Sequence, residues 1–429
     1  MGVLGWDKLT AQERARVLEA VVANDAGASP WTIEIQPTNK CNVDCFFCSS
    51  KQFRADETLP FDEMIAPMLR QGAAANLRNI RLSGGGESLV YPKIRALIDL
   101  CLELGVRITD VTTNAAPLAK LARPLVDAGL DIISISLNEP NAERYAATMR
   151  STTRTFDKVI EGIRAMRDAR DAAPEGQRPK IELKLMYYKG NFRLIHEMYA
   201  LGRELGADSI MINNIIGLPP EQKMTAAEIA DAKELLGEVI AADCATGDPR
   251  LNFWLDEEAD LQAFAMETVG RLAPGRFARP EEQQPDHPAG GRVRYCLMGW
   301  YNATVAATGV VYPCCNFVGM PDKEYGNLHA QTMESIWRGA ACTKFRQEFR
   351  WLMLLKGNIE HSRKHHQFLT PMCIAENACP FSWGLCDGGF YGEVAEALER
   401  RASPLERLQA HSRDTAIRAA HRVKSRLAG

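Results

Sequence analysis

The sequence predicts an α/β protein: a parallel sheet closed or nearly closed on itself with helices outside, followed by a small cysteine-rich α+β domain and C-terminal helices. Three observations predict it. Six short β-like runs alternate with stretches of helical period over roughly the first 245 residues. The alternation then gives out. Beyond it, seven of the 12 cysteines gather after residue 290.

The elements follow in order. LTAQERARVLEAVV places Thr10 and Glu13 at capping-box spacing, so a helix leads the chain. The β-like runs are WTIEIQ from Trp31, NIRLS from Asn79, RITDVTTN from Arg107, DIISISLN from Asp131, IELKLMYY from Ile181 and DSIMINNI from Asp208. Helical patterns such as YPKIRALIDLCLELG and FDKVIEGIRAMRDAR separate them. Strands joined through helices pair in parallel with right-handed crossovers, and a sheet wrapped in helices results. RLAPGRFARPEEQQPDHPAGG is rich in Pro, Gly and charge and reads as a linker. CLMGWYNATVAATGVVYPC is hairpin-like, with Gly309 at its turn between β-branched flanks. SPLERLQ opens a terminal helix with Ser403 as N-cap and Pro404 in the first turn. The expected domains are an N-terminal helix over 1–28, the barrel over 29–245, a linker over 246–290, the cysteine-rich domain over 291–388 and C-terminal helices over 389–429.

Composition sets the chemical context. A formal charge of -3 with 46% hydrophobic residues gives no bulk attraction to nucleic acid. No apolar run is long enough to span a bilayer, and MGVLGWDKLT lacks signal-peptide character, so a cytoplasmic protein with no membrane partner is expected. Reducing conditions there keep thiols unpaired, which turns clustered cysteines into candidate metal or redox groups. Cys101 and Cys244 lie in helical patterns and read as small apolar fillers.

PTNKCNVDCFFCSS puts Cys41, Cys45 and Cys48 in the loop after the first strand, with no fourth Cys before Cys101. A closed structural zinc site needs four ligands. Three thiolates on a cubic iron–sulfur cluster leave one iron open to a substrate or cofactor. RLSGGGESLVYP places Gly84, Gly85, Gly86 and Glu87 after the second strand, on the same C-terminal rim where parallel barrels do chemistry. Glycines there let the backbone approach a ligand, and Glu87 can hold a cationic amino group.

With CNVDCFFC, its Phe47 before the last cysteine, and GGGE, the sequence resembles the radical S-adenosylmethionine (SAM) superfamily over roughly the first 240 residues. The resemblance implies a partial (βα)6 barrel. It implies that Cys41, Cys45 and Cys48 bind a 4Fe–4S cluster whose open iron chelates SAM, with a flavodoxin or ferredoxin as reductant. Reductive SAM cleavage then yields a 5′-deoxyadenosyl radical that takes a hydrogen atom from substrate. Gly85, Gly86 and Glu87 match the SAM amino-group motif. Ser136 and Asn138 in SISLN sit where relatives contact ribose, although Asp is commoner than Asn at the second position. Arg150 is similar to an arginine that meets the SAM carboxylate.

Cys296 and the Gly309-x4-Cys314 spacing resemble the opening of SPASM and twitch domains, which carry auxiliary iron–sulfur clusters. The pattern then departs: CIAENACPFSWGLC offers Cys373, Cys379 and Cys386 with only one family spacing kept. Cys296, Cys314 and two of those three are the preferred ligands of one auxiliary 4Fe–4S cluster; a second cluster, or zinc at the last three, is the alternative. Cys342 reads as a packed thiol, and Cys315 as a buried thiol or a hydrogen-atom donor. HSRKHH (361–366) reads as solvated surface, and the arginines after residue 412 as one side of a docked helix.

A leading segment of roughly 30 residues is short for a peptide-recognition domain, which favours a small-molecule substrate over a peptide. The SGGGE form resembles enzymes that dehydrogenate, dehydrate or epimerise sugars and aminocyclitols in antibiotic biosynthesis. The alternatives are a peptide maturase and, outside catalysis, an iron–sulfur electron carrier.

Overall fold

The computed structural model describes residues 11–48, 50–51, 56–215, 217–255, 259–274, 276, 298–354 and 388–412. They form two compact units, one built from 35–61 and 80–279 and the other from 1–34, 62–79 and 280–429.

The first of these holds the end of β1 (Thr32–Ile35), then β2 (Asn79–Leu82), β3 (Arg107–Thr113), β4 (Ile132–Ser136), β5 (Lys180–Met186), β6 (Ser209–Asn213) and β7 (Leu251–Trp254). Strands β2 to β7 stand in sequential order. From β3 to β7 every pairing is parallel, in registers such as Ser134↔Glu182 and Glu182↔Ser209. This is the mostly parallel architecture of a partial (βα) barrel. The alternation does not stop at residue 245, as the sequence reading expects: β7 adds one more parallel strand and Ala259–Leu272 one more helix. LNFW is too short and too evenly mixed to register as a strand by period alone.

Strand chemistry explains the layering. Ile133 and Ile135, Ile181, Leu183 and Leu185, and Ile210 and Ile212 are all fully buried on one face. The alternate positions carry Ser134, Glu182, Lys184 and Ser209, so the other face is polar. Crossover helices are capped by local side chains. Asn141 accepts from the Arg144 N–H ahead of α5 (Ala142–Thr148), and Thr152 does the same for α6 (Thr153–Asp171). Thr225 and Glu228 form a full capping box on a helix over Ala226–Ala245.

The other unit contains a helix over Ala11–Ala23 and the expected hairpin, β8 (Asn302–Val305) and β9 (Val310–Tyr312), with β10 (Gly326–Asn327) added antiparallel to β9. Gly309 takes φ +80° at the turn, a conformation that β-branched residues avoid. Helices at Met333–Trp337, Ala340–Leu354 and Gly388–Arg401 complete it, and residues 404–412 are helical behind the Ser403 cap, where the hydroxyl accepts from the Glu406 N–H at 3.1 Å. Buried Arg350 ties this unit together. Its guanidinium donates to the carbonyls of Val21 and Val22, which end the first helix, and pairs with Glu406 at 2.6 Å. Thr10, the 277–297 linker, HSRKHH and the arginines after 412 lie outside the described residues. No helix among the described residues is long and apolar enough to cross a membrane.

Candidate functional site: the cysteine loop and its supports

The loop bearing Cys41, Cys45 and Cys48 is pinned by backbone hydrogen bonds. Asp44 N–H donates to the Met149 carbonyl at 3.0 Å, and Phe46 N–H donates to the Thr148 carbonyl at 3.2 Å. Cys48 N–H closes back on the Cys45 carbonyl at 3.2 Å. All three cysteines are half-buried and outside any disulfide. Among the described residues no three His, Cys, Asp or Glu side chains converge on a point fit for a single ion.

The Gly84–Glu87 turn lies against the root of that loop, and the glycines are explained by the contact. A Cβ on Gly86 would stand 2.1 Å from the Lys40 carbonyl oxygen, and one on Gly85 would stand 2.0 Å from Asn39 Oδ1. Gly84, at φ +97°, lies under the Gln36 side chain. Here the glycines admit the cysteine loop itself, a role the sequence reading gave to a ligand. The two loops are stitched by Glu87 N–H to the Lys40 carbonyl at 2.9 Å.

Glu87 is buried and accepts three hydrogen bonds: from Leu89 N–H at 3.0 Å and Thr113 Oγ1 at 2.7 Å on one oxygen, and from Asn114 N–H at 2.6 Å on the other. Burial raises its pKa against the opposing pull of those donors. A carboxylate has about four lone-pair sites, so one remains, on the oxygen facing Asn114. Asn114 also reaches the cysteine loop, donating from Nδ2 to Asn42 Oδ1 at 2.7 Å. It is followed by Ala115 in the left-handed region at φ +63°.

Two more left-handed residues mark the same rim: Asn138 at φ +64° after β4 and Arg150 at φ +45° after α5. Held strain of this kind collects at functional sites. Asn138 is buried, and its Oδ1 has no hydrogen-bond partner among the described residues. Ser136 is half-buried at the end of β4. Arg150 is exposed and lies 3.5 Å from Asp44 inside the cysteine motif, with Lys51 on the other side of that carboxylate. The Lys51 and Arg150 partners hold the Asp44 carboxyl below its usual range. Phe47 is half-buried and packs edge-on to Phe46, 5.3 Å between ring centres.

Glu139, Tyr188 and Tyr145, which sequence reasoning missed, complete the frame. Glu139, fully buried, accepts from Thr148 Oγ1 at 2.7 Å and from the Tyr188 hydroxyl at 3.2 Å, with Arg144 at 3.5 Å. The Tyr188 ring in turn meets Phe46 at 5.6 Å. Tyr145 is fully buried, and its hydroxyl has no hydrogen-bond partner among the described residues. Its pKa is raised, first by burial and then by the negative fields of Cys45, Glu87 and Cys41. A buried hydroxyl without a partner costs roughly 1–3 kcal/mol, so it belongs beside a polar group. The residues therefore fit a cluster with a polar cofactor. Glu139 and Tyr188 gave no sequence signal beyond polar character just after a strand, and Tyr145 none beyond its place within α5.

Distal cysteines differ. Cys314 is buried at the end of the hairpin, and Cys315 is half-buried beside it. Cys342 is buried, as expected, and burial pushes its thiol up to about 12. Cys101 behaves the same way, also reaching about 12. Cys244, on the last turn of its helix, is only half-buried; burial still raises its thiol, against the opposing pull of Arg276. Cys296, Cys373, Cys379 and Cys386 lie outside the described residues.

Residues 35–171 match the model of the radical SAM superfamily, and residues 296–360 match that of an iron–sulfur cluster-binding domain, SPASM. The chain therefore carries a radical SAM domain followed by a SPASM domain. Those domains imply a SAM-binding 4Fe–4S cluster and an auxiliary cluster. It is 30% identical over 162 residues to a GTP 3′,8-cyclase of Lactiplantibacillus plantarum, 37% of this chain and 46% of the relative. It is 34% identical over 145 residues to one of Pseudomonas fluorescens, 32% of this chain and 41% of the relative. The chain thus spans about half the length of the curated relatives it matches. Among solved structures, anSMEcpe with bound AdoMet shares the fold at TM-score 0.52 and 16% identity, covering 91% of this chain and 99% of that one.

Proposed function

We propose that this chain reductively cleaves SAM and takes a hydrogen atom from a small-molecule substrate, a sugar or aminocyclitol, with dehydrogenation, dehydration or epimerisation as the outcome. The observation that supports the reading is the stitching of the cysteine loop to the Glu87 turn, through Glu87 N–H to the Lys40 carbonyl at 2.9 Å and Asn114 to Asn42 at 2.7 Å, with the unpartnered hydroxyl of Tyr145 within their electrostatic reach. A bound 4Fe–4S cluster supplies one electron to SAM, giving methionine and the 5′-deoxyadenosyl group that removes hydrogen.

The chain's own residues hold and shield. Cys41, Cys45 and Cys48 would bind the cluster, and the Gly85–Gly86 backbone with the free lone pair of Glu87 would receive the SAM amino group. Ser136 and the unpartnered Asn138 Oδ1 would face the ribose, and Arg150 the carboxylate. Cys296 and Cys314, with two of Cys373, Cys379 and Cys386, would hold the auxiliary cluster. Cys315 would serve as hydrogen donor only for an epimerisation. A flavodoxin or ferredoxin would supply electrons in the cytoplasm.

The curated relatives favour GTP as a second reading. Anaerobic reconstitution with iron and sulfide, then dithionite and SAM, tests the first claim. The wild-type chain is expected to release 5′-deoxyadenosine, and Cys45→Ala is expected to lose that product and roughly four irons per chain. Full iron loading without SAM cleavage in the wild type would favour an electron carrier.

A further inference from the structure

The polar face of the sheet carries side chains the SAM chemistry does not use. In its central layer Glu182, 6% exposed, accepts from Ser134 Oγ at 3.0 Å and from Ser209 Oγ at 3.5 Å. One layer nearer the C-terminal rim stands Lys184, in register with Ser136 on β4 and Met211 on β6. Its nearest charged neighbour, Glu182, is 3.9 Å away, so the pair is electrostatic and the ammonium makes no hydrogen bond among the described residues. Lys184 is 28% exposed, so its donors are partly accessible.

A further layer up, Asn213 stands in register with Met186 and Trp254 on the same face. It is 9% exposed, and its Oδ1 has no hydrogen-bond partner among the described residues. An uncommitted cationic donor and an uncommitted buried acceptor therefore occupy successive layers of neighbouring strands. A buried acceptor of this kind costs roughly 1–3 kcal/mol until a donor meets it.

We propose that Lys184 and Asn213 are the substrate-orienting pair, and that they take a ring compound bearing neighbouring hydroxyls. Lys184 donates to one oxygen and Asn213 accepts from the next. A hydroxyl both donates and accepts, so one functional group repeated around a ring satisfies both ends. On β4 to β7 the upper part of this face is poorly matched to a nucleoside triphosphate. From the Glu182 layer upward, β4 to β7 carry one carboxylate and one ammonium there, a balanced pair with no guanidinium fork for phosphates. This inference rests on the reading above and assigns it a substrate class.

The test is anaerobic calorimetry on the reconstituted, SAM-loaded holoenzyme with four probes: myo-inositol, 2-deoxystreptamine, GTP and a glycine–serine pentapeptide. One or both ring compounds are expected to bind saturably. Lys184→Met, Lys184→Gln and Asn213→Ala are each expected to weaken that binding at least tenfold, by more than any change in the Kd for SAM measured in parallel. Near-UV circular dichroism identifies a variant that fails to fold, and Lys184→Gln keeps the side chain's length should Lys184→Met do so. Tighter binding of GTP or the peptide, binding of neither ring compound, or an equal loss of SAM affinity in the variants would overturn the proposal. Failure of the wild type to form 5′-deoxyadenosine would instead overturn the underlying reading, in a separate measurement.

Discussion

Cys41, Cys45 and Cys48 of the barrel unit and Cys342 of the hairpin unit are handled in opposite ways. Around Cys41, Cys45 and Cys48 the backbone is tied down at Asp44, Phe46 and Cys48 while the thiols stay half-exposed. Cys342 is the reverse: a thiol sealed among apolar side chains and pushed up to about 12 by that burial. The difference separates a ligand from a filler. A ligand thiol must lose its proton and meet a metal, so it needs access and a fixed backbone; a filler needs only volume. Cys314, buried beside half-buried Cys315, stands between these limits.

The sharpest way to break this contrast is to unpin the loop without touching a thiol. Gly86→Ala would drive a Cβ to 2.1 Å from the Lys40 carbonyl, against backbone that cannot swing aside. The cost should be about 1–3 kcal/mol of stability. The larger effect should be on the site: loss of most of the iron at Cys41, Cys45 and Cys48 and at least a 100-fold fall in SAM cleavage. Iron per chain and 5′-deoxyadenosine release measure both. Wild-type iron loading in this variant would show that the loop does not depend on the glycine turn.

What could be read from the sequence follows from the range of each interaction. The strand–helix alternation, the hairpin at Gly309 and the cap at Ser403 are local, and period or spacing announces them. The cysteine triplet is equally plain because one loop contains all of it. Glu139 is different. It works by reaching Thr148, Arg144 and Tyr188 across 9, 5 and 49 positions, and nothing in SLNEP marks it. Asn114 bridges 72 positions to Asn42, a pairing that only the folded rim creates. The glycines show the same limit: spacing shows that a close approach is needed, and only the fold shows that the root of the cysteine loop makes one. Lys184 and Asn213 look like ordinary alternation until the register stacks them.

Glu87 sharpens the contrast from the side of charge. Its folded-state pKa is raised above the ordinary 4.5, so the folded chain binds that proton more tightly than the unfolded one. Below about pH 4.5 the carboxyl is neutral in both states and no penalty applies. As pH rises above that value the folded state is progressively disfavoured, until the pH passes the raised pKa. Glu87→Gln removes the titration and turns an amide N–H2 toward the Asn114 or Thr113 donor, at a cost of about 1–3 kcal/mol. The deficit of the variant should be largest near pH 4.5 and should shrink toward neutrality. Denaturant midpoints across that range check the slope; a deficit that grows with pH would contradict the burial argument.

Cys342→Ala should have the smallest effect of all, because it tests the filler side of the comparison. Its thiol is fully buried near Arg346 and Tyr325, and the electrostatic help those side chains offer a thiolate does not offset the burial that keeps it protonated. Replacing it removes one sulfur's worth of packing from a helix that Arg346 already anchors, through hydrogen bonds to the carbonyls of Gly299 and Trp337 at 2.7 and 2.8 Å. A loss of about 1 kcal/mol is expected, within the lower part of the range for single core substitutions. Iron per chain should match the wild type. If iron falls instead, Cys342 is a ligand, the auxiliary domain holds more than one cluster, and burial alone no longer separates the two kinds of cysteine in this chain.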